Sequence, residues 1–360
     1  MSTTAAPATM RAARYYGNRD LRIEDVPVPD VQPGTVKVRV EWCGICGTDL
    51  HEFEDGPIFA PTSDAPHPIS GESVPLTLGH EFAGVVDEVG EGVEGFSPGD
   101  RVVVEPYIVC GECEFCTAGD YNLCVKGGFI GLSGGGGGFS EYVVAPAERV
   151  YALGDLSTEV GALIEPIAVG YHAVRRSGIQ PGQTAVVFGA GPIGLVTMAC
   201  LRAIGVEQVI SVEMSAIRKE KAPAAGATLV LDPSTDDVPA RIKEETGGLG
   251  TDVAFECVGL SPALQAALDS TRNGGTVVNV SIWGHKAEID MFGLVMRELN
   301  LIGTSAYCGD HEAVIELLQQ GRIDAEQFIT GRIGVEDIVD GGFRQLIENK
   351  DENVKILVHP

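Results

Sequence analysis

The rhythm of apolar positions changes near residue 180. Upstream, from residue 10 to about 155, apolar residues fall in short runs broken by Gly and Pro: TVKVRVEW at 35–42, FAGVVDEVG at 82–90, DRVVVEP at 100–106 and SEYVVAP at 140–146. Runs of this length and punctuation read as strands, and their number predicts an antiparallel, barrel-like β domain. The stretch GGFIGLSGGGGGFSEY (127–142) is too short for an interdomain linker and predicts a turn-rich surface loop.

Downstream, apolar strands alternate with helical segments. TAVVFG (184–189), QVISVE (208–213), ATLVLD (227–232), DVAFECVG (252–259), TVVNVS (276–281) and LNLIGT (299–304) read as strands. Helices are expected at about 192–203, 215–225, 238–245 and from Ser261, with Ser261 as cap, Pro262 at the first helical position and Gly274 just past the end. Nearly all-apolar strands separated by helices predict a doubly wound parallel sheet, an α/β fold. DHEAVIELLQQG (310–321) and VEDIVDGGFRQLIEN (335–349) read as helices, and VKILVHP as a last strand.

Length and charge narrow the class. The 360 residues, 44% hydrophobic, are enough for two domains. No apolar run approaches the ~18–20 residues of a membrane span, and the opening MSTTAAPATMRAARYYG lacks the pattern of a signal peptide. Its first nine residues read as a loose tail, with Met10 as an alternative start. Nine cysteines without a leader point to a reducing cytoplasm, where clustered thiols hold metal more often than they form disulfides. The net charge of −26 and pI near 4.5 exclude nucleic acid as an expected partner, because the protein's field repels phosphates. Only eight of the 25 basic residues are Lys. Acid excess with so little Lys fits a salty cytoplasm, or an ordinary acidic, Gly-rich bacterial protein.

Three constellations carry chemistry. The first is VVFGAGPIGLV, with Gly189, Gly191 and Gly194 spaced G-x-G-x-x-G around Pro192 and Ile193, between a strand and a helix. That context makes it a dinucleotide site: the glycines allow a tight turn, pyrophosphate approach and close helix packing, and the helix start offers free N–H groups. Glu213 ends the next strand, where a carboxylate binds a ribose 2′-hydroxyl and repels a 2′-phosphate, favouring NAD over NADP. The second is Cys110, Cys113, Cys116 and Cys124, spaced C-x2-C-x2-C-x7-C. Four thiolates complete a tetrahedral zinc shell with no open position, so this metal is expected to fold a loop and not to catalyse. The third is CGICGTDLHEF, with Cys43, Cys46, Thr48 and His51, together with His80 and Glu81 in LGHEFAGVV. A thiolate, an imidazole and a carboxylate suit a catalytic zinc with an open position.

GICGTDLH, GHEFAGVV, GDRV, the four-cysteine lobe, EP at 165–166 and GAGPIGL occur in the order and spacing of a known family. By these motifs the chain resembles the zinc-dependent medium-chain alcohol and polyol dehydrogenases along nearly its whole length. The resemblance implies a β-rich, GroES-like catalytic domain over 1–160, a Rossmann NAD-binding domain over 161–307 and a segment, 308–360, that returns to the catalytic domain. It implies one catalytic and one structural zinc per chain, and a homo-oligomer, dimer or tetramer. Cys46 and His80 are implied zinc ligands. The third-ligand position falls on Glu165 instead of Cys, as in the polyol and butanediol branches, and Glu81 and Glu165 are each expected to bind zinc or stand behind its water. Thr48 and His51 match the family's proton relay. Arg218, five residues after Glu213, is placed to meet the adenosine ribose or phosphate, and Val258 and Ile282, at the ends of the fourth and fifth strands of the parallel sheet, are placed to touch the nicotinamide side or to serve as sheet core. The long segment between Cys46 and His80 resembles the branch acting on vicinal diols and hydroxyketones such as 2,3-butanediol and acetoin, with Phe53, Ile58 and Phe59 as its apolar wall and His67 as a loop histidine. Sorbitol, xylitol or threonine oxidation is the alternative activity, and a non-catalytic nucleotide-binding relative the alternative class. Cys43, Cys200, Cys257 and Cys308 are left as buried packing.

Overall fold

A computed structural model describes residues 8–360. Most of the expected N-terminal tail therefore lies outside the described residues. The first strand already begins at Thr9, where Met10 pairs with Val26 and is buried.

The chain divides into two compact units, residues 1–165 with 328–360, and 166–327. Residues 308–327, assigned from the sequence to the returning segment, belong to the second unit, because the helix His311–Gln319 clusters there. The division falls inside the helix Ile164–Ser177.

The first unit is built on a seven-stranded sheet with Thr35–Gly44 at its centre. That strand pairs antiparallel with Glu81–Val89, Tyr142–Pro146 and Lys355–His359. The last pairing, Leu357 with Gly44 and Val358 with Cys43, brings the C-terminal strand beside the residues that lead into Cys46. Val36, Val38, Val40, Phe82, Val102, Val104, Ile356 and Val358 form its core with Phe139 and Phe343.

The glycine-rich stretch is not a surface loop. Ile130, Leu132 and Phe139 are at most 4% exposed, and their backbone lies against the segment before His80. Gly138 N–H donates to Gly79 O at 2.7 Å and Phe139 N–H to Leu78 O at 3.1 Å. A Cβ at Gly131 would sit 2.0 Å from Gly79 O, and one at Gly137 2.4 Å from Leu78 O. The glycines are there because two backbones touch, and the contact braces the turn that delivers His80.

The second unit carries a six-stranded parallel sheet. Its spatial order is Leu229–Leu231, Gln208–Val212, Thr184–Phe188, Thr251–Glu256, Thr271–Asn279 and Asn300–Gly303. That is the doubly wound order 3-2-1-4-5-6, whose ligand crevice lies beyond the carboxyl ends of the first and fourth strands. The helix near 261 differs in its ends from the expectation. Leu260 is its cap, and Gly274 lies inside the strand Thr271–Asn279, its N–H donating to Arg297 O at 2.8 Å. The strand starts directly where the helix stops, leaving no glycine-capped loop.

Candidate functional site

Cys46 is the cap of the helix Gly47–Asp55 and has extended backbone, φ −89° and ψ 155°. The Asp49 carboxylate accepts its backbone N–H at 2.9 Å. His80 and Glu81 sit where the strand Glu81–Val89 begins. The ligand atoms of Cys46, His80 and Glu81 all lie within 4.8 Å of one another. Zinc bonds of ~2.0–2.3 Å span such a gap.

The charge around this cluster favours a cation. Asp49, Glu81 and Glu165 are buried, against the single buried ammonium of Lys355. Lys355 Nζ donates to Glu81 Oε2 at 2.6 Å, to Oε1 at 2.7 Å and to Ile45 O at 3.0 Å. Burial pulls the Lys355 ammonium down, but the charges of Glu81, Cys46 and Glu165 hold it above its ordinary value. His80 is set the same way: burial lowers its imidazole, while Asp49 and Cys46 outweigh that and raise it. Asp49 Oδ1 stands 3.6 Å from His80 Nδ1, the kind of neighbour that orients a metal-binding imidazole. Buried acid in excess of buried base is the condition a divalent ion relieves.

Glu165 opens the helix Ile164–Ser177 and is 5% exposed. It stands near enough to act on Lys355 but outside the three-atom cluster. Thr48 and His51 lie one turn apart on the helix that Cys46 caps, Thr48 half-buried and His51 exposed. Phe53 does not line a site: it is 6% exposed and packs edge-on to Phe343 at 5.3 Å. Ile58 and Phe59 remain exposed, at 52% and 47%. Their loop is pinned by buried Glu52, whose carboxylate accepts the N–H groups of Ile58, Phe59 and Ala60. His67 is buried, with Ser70 N–H donating to its Nδ1 at 3.2 Å.

Asp49, Glu52 and Lys355 were missed from the sequence. Asp49 had a signal, since an acid three residues after a helix cap reaches back to it. Lys355 had none, because it is distant in sequence and only the pairing of Lys355–His359 with Thr35–Gly44 brings it in.

The four-cysteine lobe is separately assembled. Its Sγ atoms lie within 4.8 Å of one another, Cys110 to Cys124 at 3.5 Å and Cys110 to Cys116 at 3.9 Å. A tetrahedron with bonds of ~2.3 Å has edges of ~3.8 Å. All four are free thiols. The Cys116 backbone N–H draws Cys113 down to about 6, while burial and the neighbouring thiols push Cys116 up to about 12. One thiolate forms readily and opposes the next, so full ionisation calls for a bound cation.

In the second unit, Gly189 has φ +91°, and a Cβ on Gly194 would lie 1.8 Å from Gly189 O. Gly191 caps the helix Pro192–Ala203, with Ile193 in its first turn and Arg218 Nη1 3.7 Å from where its Cβ would be. Glu213 accepts Ala190 N–H at 2.7 Å, Met214 N–H at 2.8 Å and Ser215 N–H at 2.9 Å. It therefore ties the glycine turn to the second strand. Val258 and Ile282 are 43% and 64% exposed, so neither is sheet core. Of the four unassigned cysteines, Cys43 and Cys200 are buried, and Cys257 and Cys308 half-buried.

Two family models match the chain, the alcohol dehydrogenase GroES-like domain over residues 32–155 and the zinc-binding dehydrogenase domain over 192–320. The (R,R)-butanediol dehydrogenase of Neisseria gonorrhoeae is 48% identical over 353 residues, 98% of this chain and 99% of that protein. The chain belongs to the zinc-binding alcohol dehydrogenases. The (R,R)-butanediol dehydrogenase of Bacillus subtilis is also 48% identical, over 98% of this chain and all of its own length. The crystal structure of 2R,3R-butanediol dehydrogenase from Bacillus subtilis superposes with a TM-score of 0.93 at 47% identity, covering 98% of this chain and 99% of that one. Membership makes this dehydrogenase an oxidoreductase with a GroES-like unit and a Rossmann unit. Among the described residues no helix is long and apolar enough to cross a membrane.

Proposed function

We propose that this dehydrogenase interconverts a vicinal diol and its hydroxyketone, 2,3-butanediol and acetoin, using NAD and two zinc ions per chain. The observation that carries the reading is the cluster of Cys46, His80 and Glu81 within 4.8 Å, in a chain 48% identical to butanediol dehydrogenases. Cys46, His80 and Glu81 would hold the catalytic zinc, and Cys110, Cys113, Cys116 and Cys124 the structural one. When bound, zinc supplies a Lewis acid that acidifies a substrate hydroxyl, and NAD⁺ supplies the hydride acceptor.

The chain's own groups do the rest. Lys355 holds both oxygens of the Glu81 carboxylate, and the Asp49 carboxylate stands against His80 Nδ1. Thr48 would accept the substrate proton as its own hydroxyl proton passes outward, and His51, exposed one turn on, would accept the outgoing proton and release it to water. Glu165 accepts a hydrogen bond from the second hydroxyl, a contact that a simple alcohol lacks. Ile58 and Phe59 face the methyl-bearing carbons. Gly189, Gly191, Pro192, Ile193 and Gly194 would seat the pyrophosphate, Glu213 the adenosine ribose, Arg218 that ribose or a phosphate, and Val258 and Ile282 the nicotinamide. Thiols clustered at metal-ligand spacing support a reducing cytoplasm, and the family pattern supports a homo-oligomer. Deuterated (R,R)-2,3-butanediol tests the reaction itself. NADH one mass unit heavier supports direct hydride transfer, and unlabelled NADH or none counters it.

A further inference from the structure

The strand Thr251–Glu256 ends in a fully buried carboxylate that the chemistry above does not use. Glu256 Oε1 accepts the N–H groups of Val258 and Gly259, each at 2.8 Å. Its Oε2 accepts the Ser281 hydroxyl. Its backbone carbonyl accepts Val280 N–H at 2.9 Å and Ser281 N–H at 3.2 Å. Among the described residues no Lys, Arg or His pairs with this carboxylate. One residue thus joins two turns, 257–259 and 279–282, that follow neighbouring strands.

The joined turns are in contact elsewhere as well. A Cβ on Gly259 would lie 3.1 Å from Ile282 O, and one on Gly189 2.9 Å from Val258 Cγ2. Cys257 N–H donates to Phe188 O at 3.0 Å, immediately before the glycine turn. Asn279 Nδ2 donates to Ser281 O at 2.9 Å. The clamp therefore runs from the glycine turn through 257–259 to 279–282. It ends at Val258 and Ile282, two large apolar side chains left exposed.

Burying a carboxylate without a cation is costly unless its lone pairs are filled, and here backbone and hydroxyl donors fill them. We propose that Glu256 is a positioning residue for the nicotinamide end of the cofactor. Its carboxylate locks the two turns together, so that Val258 and Ile282 present one rigid apolar edge. This rests on the reading that the second unit binds NAD.

The test compares two ligands that share the adenosine end: NADH, and ADP-ribose, which lacks the nicotinamide. Dissociation constants are measured by calorimetry on the full chain, wild type, Glu256→Ala and Glu256→Gln. Wild type that binds neither ligand overturns the cofactor reading itself. With that reading intact, Glu256→Ala is expected to bind NADH about tenfold more weakly while ADP-ribose changes by less than about twofold. Glu256→Gln keeps an acceptor for both backbone N–H groups, and Ser281 can reverse its hydroxyl, so NADH affinity should recover to within about threefold of wild type. If Glu256→Ala does not fold, Ser281→Ala, which removes only one bond of the clamp, should show the same selective loss, about threefold. Equal weakening of both ligands, unchanged NADH affinity, or no recovery in Glu256→Gln would overturn the proposal.

Discussion

Replacing Lys355 by Met removes three hydrogen bonds at once, at 2.6, 2.7 and 3.0 Å, and leaves Glu81 charged in the interior. Both side chains are at most 5% exposed, so solvent does not screen the loss. Breaking such a pair from one side costs about 3–5 kcal/mol, whereas deleting both charges is often close to neutral. With zinc stripped by a chelator, so that no metal ion stands in for the lost ammonium, Lys355→Met should therefore lower the stability of the first unit by about 3–5 kcal/mol, and Glu81→Gln with Lys355→Met should recover most of it. The two tryptophans fall one in each unit, Trp42 and Trp283, so a Trp283→Phe background lets Trp42 report the first unit alone. With a urea slope of ~2–3 kcal/mol/M, the single variant should lose about 1–2.5 M in midpoint. The sign of the pH dependence follows from Lys355 being held above its ordinary 10.5. The folded state keeps a proton that the unfolded state gives up, so the contribution is complete below about 10.5 and disappears as pH rises through the folded value. The penalty of Lys355→Met should stay flat from neutral pH to about 10 and shrink above it. A single variant within about 0.3 M of its parent, or a double variant no better than the single, would refute the argument.

Three further predictions separate the other parts. Cys46→Ala should cut kcat/KM by about a thousandfold or more with its fold intact, whereas Cys113→Ala should chiefly lower melting temperature, because a closed site contributes its binding energy to folding. Metal analysis should find two zincs in wild type and one in each variant, and native melting with no chemistry in Cys113→Ala would sink the division of roles. Glu213→Ala should narrow the NAD⁺ over NADP⁺ preference in kcat/KM by about tenfold, and equal use of both cofactors by wild type would remove the role given to Glu213. If the acid excess, 51 Asp and Glu against 25 Lys and Arg, is a salt adaptation, melting temperature should rise towards molar KCl, where the Debye length falls to about 3 Å. Greatest stability in dilute buffer would rule that adaptation out.

The second unit was legible because its signals are local. A strand, a G-x-G-x-x-G turn and a helix follow in sequence, and the expected helices 192–203 and 238–245 match Pro192–Ala203 and Val238–Glu245 to the residue. Cysteine spacing likewise announced the lobe. Pairing across long separations stayed hidden. Lys355 meets Glu81 through a sheet contact 274 residues apart in sequence. The glycine stretch was misread because glycine marks flexible turns and close-packed backbone alike, and only the neighbouring Leu78–Gly79 carbonyls decide between them. Phe53 was misplaced for a related reason: an apolar residue near a site looks the same in sequence whether it lines the site or packs on Phe343 behind it.

The most direct measurement is kcat/KM for NAD⁺-linked oxidation of the separate 2,3-butanediol stereoisomers, with acetoin reduction by NADH, set against sorbitol, xylitol, threonine and ethanol. (R,R)- and meso-2,3-butanediol and acetoin should lead the set. Sorbitol, xylitol or threonine in first place would contradict the reading of the Ile58–Phe59 wall and the diol contact at Glu165, and no turnover of any of them would contradict the catalytic reading of Cys46, His80 and Glu81.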